Sequence, residues 1–275
     1  MAWKMLLAVL GLVLIQAAAV PSPSTYSQKI TTPTWFVDPC DLKNTTCDWR
    51  GYANGANTVI LDLIQFAPWP ETEISWGPGP EVDPSYAKLI KQIRETKQSG
   101  TGAITTILGT VKVGYRWAND CANLTAVNET RIKSEIDRWN SFYNVDGFFF
   151  DSVSLMNCVS SNLLASLVKY VHDHTTIICV TIADWTAEGS ADESYLQTTP
   201  SVDSFLTFMG NHADYEEYVL RPYMTRWYHI VGDVPQSKLA STVQKSIANR
   251  AGRVFFTDKR LDLTLGQLPG GKTDY

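Results

Sequence analysis

At 275 residues, with 44% hydrophobic and 11% aromatic residues, the chain has core material for one large domain or two small ones. A net charge of −5, with no run of basic residues, argues against a nucleic-acid surface.

Met1 to Ala19 carries Lys4, an apolar run from Met5 to Ile15, and the small-residue ending Gln16-Ala17-Ala18-Ala19. That layout reads as a secretory signal peptide, since a membrane span needs about 20 apolar residues. Cleavage is expected near Ala19, and the mature chain then has no membrane span. Residues 20–32, rich in Pro, Ser and Thr, read as a mobile leader, and residues 33–275 as one domain. Sequons at Asn44, Asn123 and Asn128 agree with an extracellular or cell-surface location and with glycosylation. Five cysteines in an oxidising compartment leave one unpaired. Cys40 and Cys47 flank a short polar loop and are expected to bond. Cys121 and Cys158 follow neighbouring strand ends and form the second expected pair, leaving Cys179 a buried free thiol.

Apolar, β-branched runs that end in acidic or polar residues predict eight strands. They are Thr34–Asp38, Thr58–Ile64, Val111–Trp117, Val145–Asp151, Ile177–Asp184, Ser204–Met209, Trp227–Gly232 and Val254–Asp258. Helical periodicity appears between them. Asp83-Pro84 opens a helix with Tyr86, Leu89, Ile90 and Ile93 on one face, and Asn128–Tyr143 repeats the pattern with Ile132, Ile136, Trp139 and Tyr143. Ser161–His174 presents Leu164, Leu167, Val168 and Val171, and Ser237–Ala251 presents Leu239, Val243 and Ile247. Strands alternating with helices predict an α/β fold with a parallel sheet, and eight of them predict a single (β/α)8 TIM-type barrel whose last strand closes on its first.

Chemistry in such a barrel sits at the C-terminal ends of the strands. The candidate rim comprises Asp38, Asp62, Gln65, Tyr115, Arg116, Trp117, Asp151, Ser152, Asp184, Trp185, Met209, Asn211, His212, Asp233 and Asp258. Aromatic faces stack on the C–H surfaces of sugars while carboxylates accept hydroxyl hydrogen bonds, so this mixture suits a polysaccharide or cell-wall glycan. Paired carboxylates could also supply an acid and a base or nucleophile. Taken singly, an Asp at a strand-to-helix loop is more often a cap. His172 and His174 share a helix end but not a face, His212 stands in a loop, and His229 lies inside the seventh strand, so no metal set emerges. Gly77-Pro78-Gly79-Pro80 is too rich in proline to cradle a phosphate. No cofactor is expected, and a monomer is.

Four stretches together resemble the spherulin-4-like cell-surface proteins, a family related to secreted glycoside hydrolases with barrel folds. They are Gly77-Pro78-Gly79-Pro80-Glu81-Val82-Asp83-Pro84-Ser85-Tyr86, Val113-Gly114-Tyr115-Arg116, Val145-Asp146-Gly147-Phe148-Phe149-Phe150-Asp151 and Val254-Phe255-Phe256-Thr257-Asp258. The resemblance implies a barrel acting on amino-sugar polysaccharide, with Asp151 as the catalytic residue if the chain is active. It also brings out two departures. Glu typically follows the fourth-strand Asp in the family, where this chain has Ser152, and Phe-Glu tends to end the sixth strand, where this chain has Phe208-Met209. A replacement acid could come from Asp62, Asp184, Glu188, Glu216 or Glu217. Losing one of a catalytic pair costs orders of magnitude in rate, which favours carbohydrate binding over hydrolysis. An active hydrolase with relocated carboxylates and a purely structural surface protein are the other two readings.

Overall fold

The computed structural model describes residues 28–33, 58–61, 78–95, 97–98, 102–103, 106–113, 129–153, 161–174, 179–184, 202–219, 227–258 and 260–261. Eight parallel strands, each hydrogen-bonded to two neighbours, form a closed ring. In chain order these are β1 (Lys29–Pro33), β2 (Thr58–Leu61), β3 (Thr106–Lys112), β4 (Gly147–Val153), β5 (Cys179–Asp184), β6 (Ser204–Asn211), β7 (Trp227–Gly232) and β8 (Ala251–Phe256). The ring closes between β8 and β1, with Lys29 opposite Arg253 and Ile30 opposite Val254. A two-stranded antiparallel hairpin, Lys97–Gln98 against Gly102–Ala103, stands apart from it.

Five helices are described: α1 (Pro84–Glu95), α2 (Glu129–Tyr143), α3 (Ser161–His174), α4 (His212–Glu217) and α5 (Leu239–Ala248). The connections β1 to β2 and β5 to β6 fall outside the described residues. None of the described helices is long and apolar enough to cross a membrane.

Two expected strands are displaced. The first begins at Lys29, so residues 29–32, expected as leader, belong to the sheet, while 34–38 lie outside the described residues. Thr31 is fully buried there, and parallel pairing on both sides holds the segment despite its polar composition. The third strand runs from Thr106 to Lys112 rather than from Val111 to Trp117. Its alternation resolves the reason: Ile107 and Val111 face the helices while Leu108 belongs to the interior cluster, so the apolar signal began earlier than the densest apolar run.

The helix-covered side of β3 and β4 is dry. Every expected inward residue of α1, α2 and α3 is buried there, with Phe148 and Phe150 of β4 beneath them. Trp139 anchors this layer by donating from its indole N–H to the Thr110 carbonyl at 2.9 Å. The ring lies so close to β3 that a Cβ on Gly109 would come within 2.6 Å of it, which is why glycine occupies that strand position. Asp146 fixes the start of the layer, accepting from Ile107 N–H at 2.9 Å while standing 3.0 Å from the Arg94 guanidinium.

The helix expected over Ser237–Ala251 is present as α5, but its expected inward face of Leu239, Val243 and Ile247 is not the buried one. A 3₁₀ turn at Gln236–Lys238 precedes it, Leu239 is 44% exposed, and the buried residues are Thr242 and Ser246. That face is turned by one residue, about 100°, because small hydroxyl residues let the helix sit close to the sheet. Gln28 donates to Ser246 Oγ at 2.9 Å and to the Ala251 carbonyl at 2.8 Å.

Candidate functional site

The interior of the ring decides what its mouth can offer. Leu108, Phe149, Leu206, Tyr228, Ile230 and Leu261 form one buried cluster, with Met209 and Phe255 packed against it. At the N-terminal end the filling is polar. Tyr228 donates its hydroxyl to the Thr31 carbonyl at 2.8 Å, and Arg253 donates to Thr31 Oγ1 at 3.3 Å. Burial pushes the Tyr228 hydroxyl well above its ordinary pKa, with the Arg253 charge acting in the opposite sense, so the phenol stays a neutral donor. Among the described residues the ring is therefore filled by side chains, which leaves the rim as the place for a ligand.

Asp151 lies near the C-terminal end of β4. Phe148 and Phe150 face the helices and Phe149 the interior, so alternation puts Asp151 on the interior face, one step above Phe149. Pairing with β3 remains regular through this point, with Lys112 opposite Asp151 and Val113 N–H donating to the Asp151 carbonyl at 3.0 Å. Pairing with β5 does not: the register shifts between Phe150 and Val153, giving β4 one extra residue. A bulge at the lip of a sheet re-aims the side chains that follow. Ser152 falls within it, and Asp184 at the end of β5 is the register partner of Val153.

A second register shift, between Leu206 and Phe208, does the same for β6. Before it Leu206 faces the interior; after it Met209 takes that face, and Phe208 turns outward against Tyr215 and Tyr218. Asn211 follows on the Met209 face by alternation. Its side chain spans to the segment after β8, accepting from Leu261 N–H at 2.9 Å and donating to the Leu261 carbonyl at 3.4 Å. His212 opens α4 with Nε2 3.4 Å from a Glu216 carboxylate oxygen, and Glu217 is exposed. Asp233 and Asp258 are exposed at the ends of β7 and β8, and Asp233 has a positive φ of 55°.

Of the expected site residues, then, Asp151, Asn211, Met209, His212, Asp233 and Asp258 stand at one end of the ring. Ser152 and Asp184 are placed there by backbone register. Asp38, Asp62, Gln65, Tyr115, Arg116, Trp117, Trp185 and Glu188 lie outside the described residues, as do Asn44, Asn123, Asn128, Cys40, Cys47, Cys121 and Cys158. Cys179 is the first residue of β5. Among the described residues no group of three or more His, Cys, Asp or Glu could hold a metal.

Two participants were missed from the sequence. Leu261 belongs to the alternating run Leu261, Leu263, Leu265, a strand-like signal that could have pointed to it. Tyr215, fully buried in α4, shares a 2.8 Å hydrogen bond with His229 Nδ1 behind β7. His229 is thus placed inside its strand as expected, but on the outer face of the ring, away from the mouth. Residues 78–83, ahead of α1, dock on α2, with Arg138 donating to the Pro78 carbonyl at 3.2 Å and Asp83 N–H donating to the Tyr143 hydroxyl at 2.9 Å.

Comparison with known families matches residues 74–269 to the model of the Spherulation-specific family 4. A search of curated proteins found no match. The matched segment takes in α1 and all strands from β3 to β8.

Proposed function

Because the chain belongs to the Spherulation-specific family 4, we propose that it binds a polysaccharide or cell-wall glycan at the C-terminal rim of a (β/α)8 TIM-type barrel, without efficient hydrolysis. The observation that carries this reading is the contrast between β4 and β6. Asp151 lies on the interior face at the lip of β4, while the equivalent lip position of β6 is Met209, packed against the apolar cluster. A glycosidase needs one carboxyl group to protonate the leaving oxygen and a second to act as base or nucleophile. A thioether can do neither. With Ser152 in place of the second glutamate that the resemblance implied, Asp151 accepts hydrogen bonds from sugar hydroxyls and has no acid opposite it on β6. The molecule works as a secreted, glycosylated monomer with disulfides Cys40–Cys47 and Cys121–Cys158, and the signal segment ends near Ala19.

A second reading rests on one backbone relation. Asp184 ends the strand beside β4 and pairs with Val153, two residues beyond Asp151. The backbones of neighbouring strands stand about 4.8 Å apart, comparable with the roughly 5 Å between the two carboxyl groups of a retaining enzyme. Pure protein titrated with an amino-sugar polysaccharide, alongside an assay for released reducing ends, separates the readings. Binding that weakens in Asp151→Asn with no release supports the binding protein. Release by wild type that is lost in both Asp151→Asn and Asp184→Asn establishes the hydrolase, and neither binding nor release leaves a structural surface protein.

A further inference from the structure

We infer that the segment following β8 is a strap, latched by Asn211 across the β6–β8 side of the mouth, which lifts to admit ligand on that side. Its gating role rests on the rim being the ligand site; the latch itself does not.

A chain leaving the C-terminal end of a parallel strand ordinarily turns outward to begin the next helix. Here the exit from β8 is first tied sideways to the end of β7, with Thr257 N–H donating to the Val231 carbonyl and Val234 N–H donating to the Thr257 carbonyl, both at 3.0 Å. Asp258 and Arg260 are exposed, yet Leu261 between Arg260 and the remaining tail is 2% exposed and belongs to the same cluster as Phe149 and Ile230. The chain has therefore come back over the ring and set one leucine into it.

What holds it is a side chain, not a strand. Asn211 supplies an acceptor to Leu261 N–H and a donor to Leu261 C=O, the two bonds that a neighbouring strand would give. A sheet rung repeats along two backbones. Among the described residues this is a single rung from one amide across 50 residues of sequence, so it opens without disturbing a described ladder. Lifting it uncovers Met209 and Phe255, which pack against the cluster from the side of the lip. The strap thereby divides the mouth. On the β6–β8 side an apolar seat is presented only after Leu261 leaves.

Hydrogen exchange on the full chain tests the latch. In Asn211→Ala the peptide containing Leu261 should exchange about tenfold faster, the loss expected for a hydrogen-bonded buried amide losing its partner, while peptides from β3 and β4 keep the wild-type rate. Asn211→Asp, which keeps an acceptor for Leu261 N–H and lacks the donor, should fall between. The apolar dye 1-anilinonaphthalene-8-sulfonate should bind Asn211→Ala and Leu261→Ala and not wild type. A Leu261 peptide with unchanged exchange in Asn211→Ala overturns the strap, as does acceleration spread equally over β3 and β4. Gating is read separately from the association rate of an amino-sugar polysaccharide, which should rise severalfold in Asn211→Ala; an unchanged rate with binding intact overturns it. Local acceleration at Leu261 with no polysaccharide binding by any variant keeps the latch and rejects the carbohydrate reading.

Discussion

The two flanks of the ring are held by different chemistry. Over β3 and β4, α1 to α3 lay aliphatic and aromatic side chains on Phe148 and Phe150, and polar bonds appear mainly at the margins. Around β6 to β8 the packing is laced with hydrogen bonds: Tyr215 to His229, Arg253 and Tyr228 to Thr31, Gln28 to Ser246, Asn211 to Leu261. An apolar layer tolerates small slips of one element on another, because dispersion and burial are nondirectional. A layer fixed by directional bonds holds particular atoms in place, and it stands beside the lip where β6 presents Met209 rather than an acid. The apolar flank carries the scaffold, and the bonded flank shapes the mouth.

The largest expected effect breaks the dry flank. Trp139→Ala removes a fully buried indole, its bond to Thr110 and its contact with Gly109. Such truncations cost about 3–5 kcal/mol, which thermal or urea unfolding would register as a large drop in midpoint. Gly109→Val should fail similarly by the opposite route, since its Cβ meets the indole ring itself. A loss under about 1 kcal/mol in both would mean that this flank does not hold the fold.

The bonded flank answers to pH instead. Burial without a compensating charge pushes His229 down from 6.5 to about 3, and Phe208, Tyr215 and Tyr218 surround its ring. The folded value lies below the unfolded one, so the unfolded chain binds the extra proton between them. Stability is full above about pH 6.5 and falls as pH drops toward 3, with a slope from this group of up to about 1.4 kcal/mol per pH unit. Glu129, lowered by hydrogen bonds from Lys133 and Ser166, pulls in the same direction, but only below its ordinary value of 4.5. Urea unfolding between pH 6.5 and 5 therefore reads the histidine above the range of Glu129. A His229→Gln variant should lose the slope, and an unchanged slope would refute the assignment.

Tyr215→Phe sharpens the same point at constant pH. It leaves His229 Nδ1 buried without its 2.8 Å partner, while Nε2 already has none among the described residues. Leaving such a group unsatisfied costs about 1–3 kcal/mol. Equal stability of the variant at pH 7.5 would show that the bond contributes nothing net.

Legibility in the sequence divides along the same line. Helix faces over the dry flank were readable residue by residue, because a stripe of large apolar side chains at i, i+3, i+4 has one interpretation. The same reading failed for α5, where Leu239 is exposed and Thr242 and Ser246 are inside, since hydroxyl residues give no hydropathy signal. Strand count and the closure of β8 on β1 were legible; the starts of β1 and β3 were not, because Thr31 and Thr110 are buried positions that look polar. Asp151 could be placed at a lip from Phe148-Phe149-Phe150 alone. The inward turn of Met209 depends on a bulge, and the capture of Leu261 on a long-range bond to Asn211, neither of which leaves a local pattern.

The smallest effect asks whether the bonded flank reaches the amino-terminal segment. Gln28 makes two bonds across the ring closure, to Ser246 and to the Ala251 carbonyl, and its own Oε1 accepts from Ser246 Oγ at 3.3 Å. Both partners are buried, so Gln28→Ala removes directional bonds without opening an apolar cavity. The expected loss is about 1 kcal/mol. Lys91→Ala provides the scale, because its ion pair with Glu95 spans 3.8 Å between side chains 74% and 65% exposed, and such pairs contribute from nothing to about 0.5 kcal/mol. If Gln28→Ala unfolds at the same urea concentration as Lys91→Ala, the segment before β1 is held by sheet pairing alone. A clear gap between them extends the bonded flank from the mouth to the first strand.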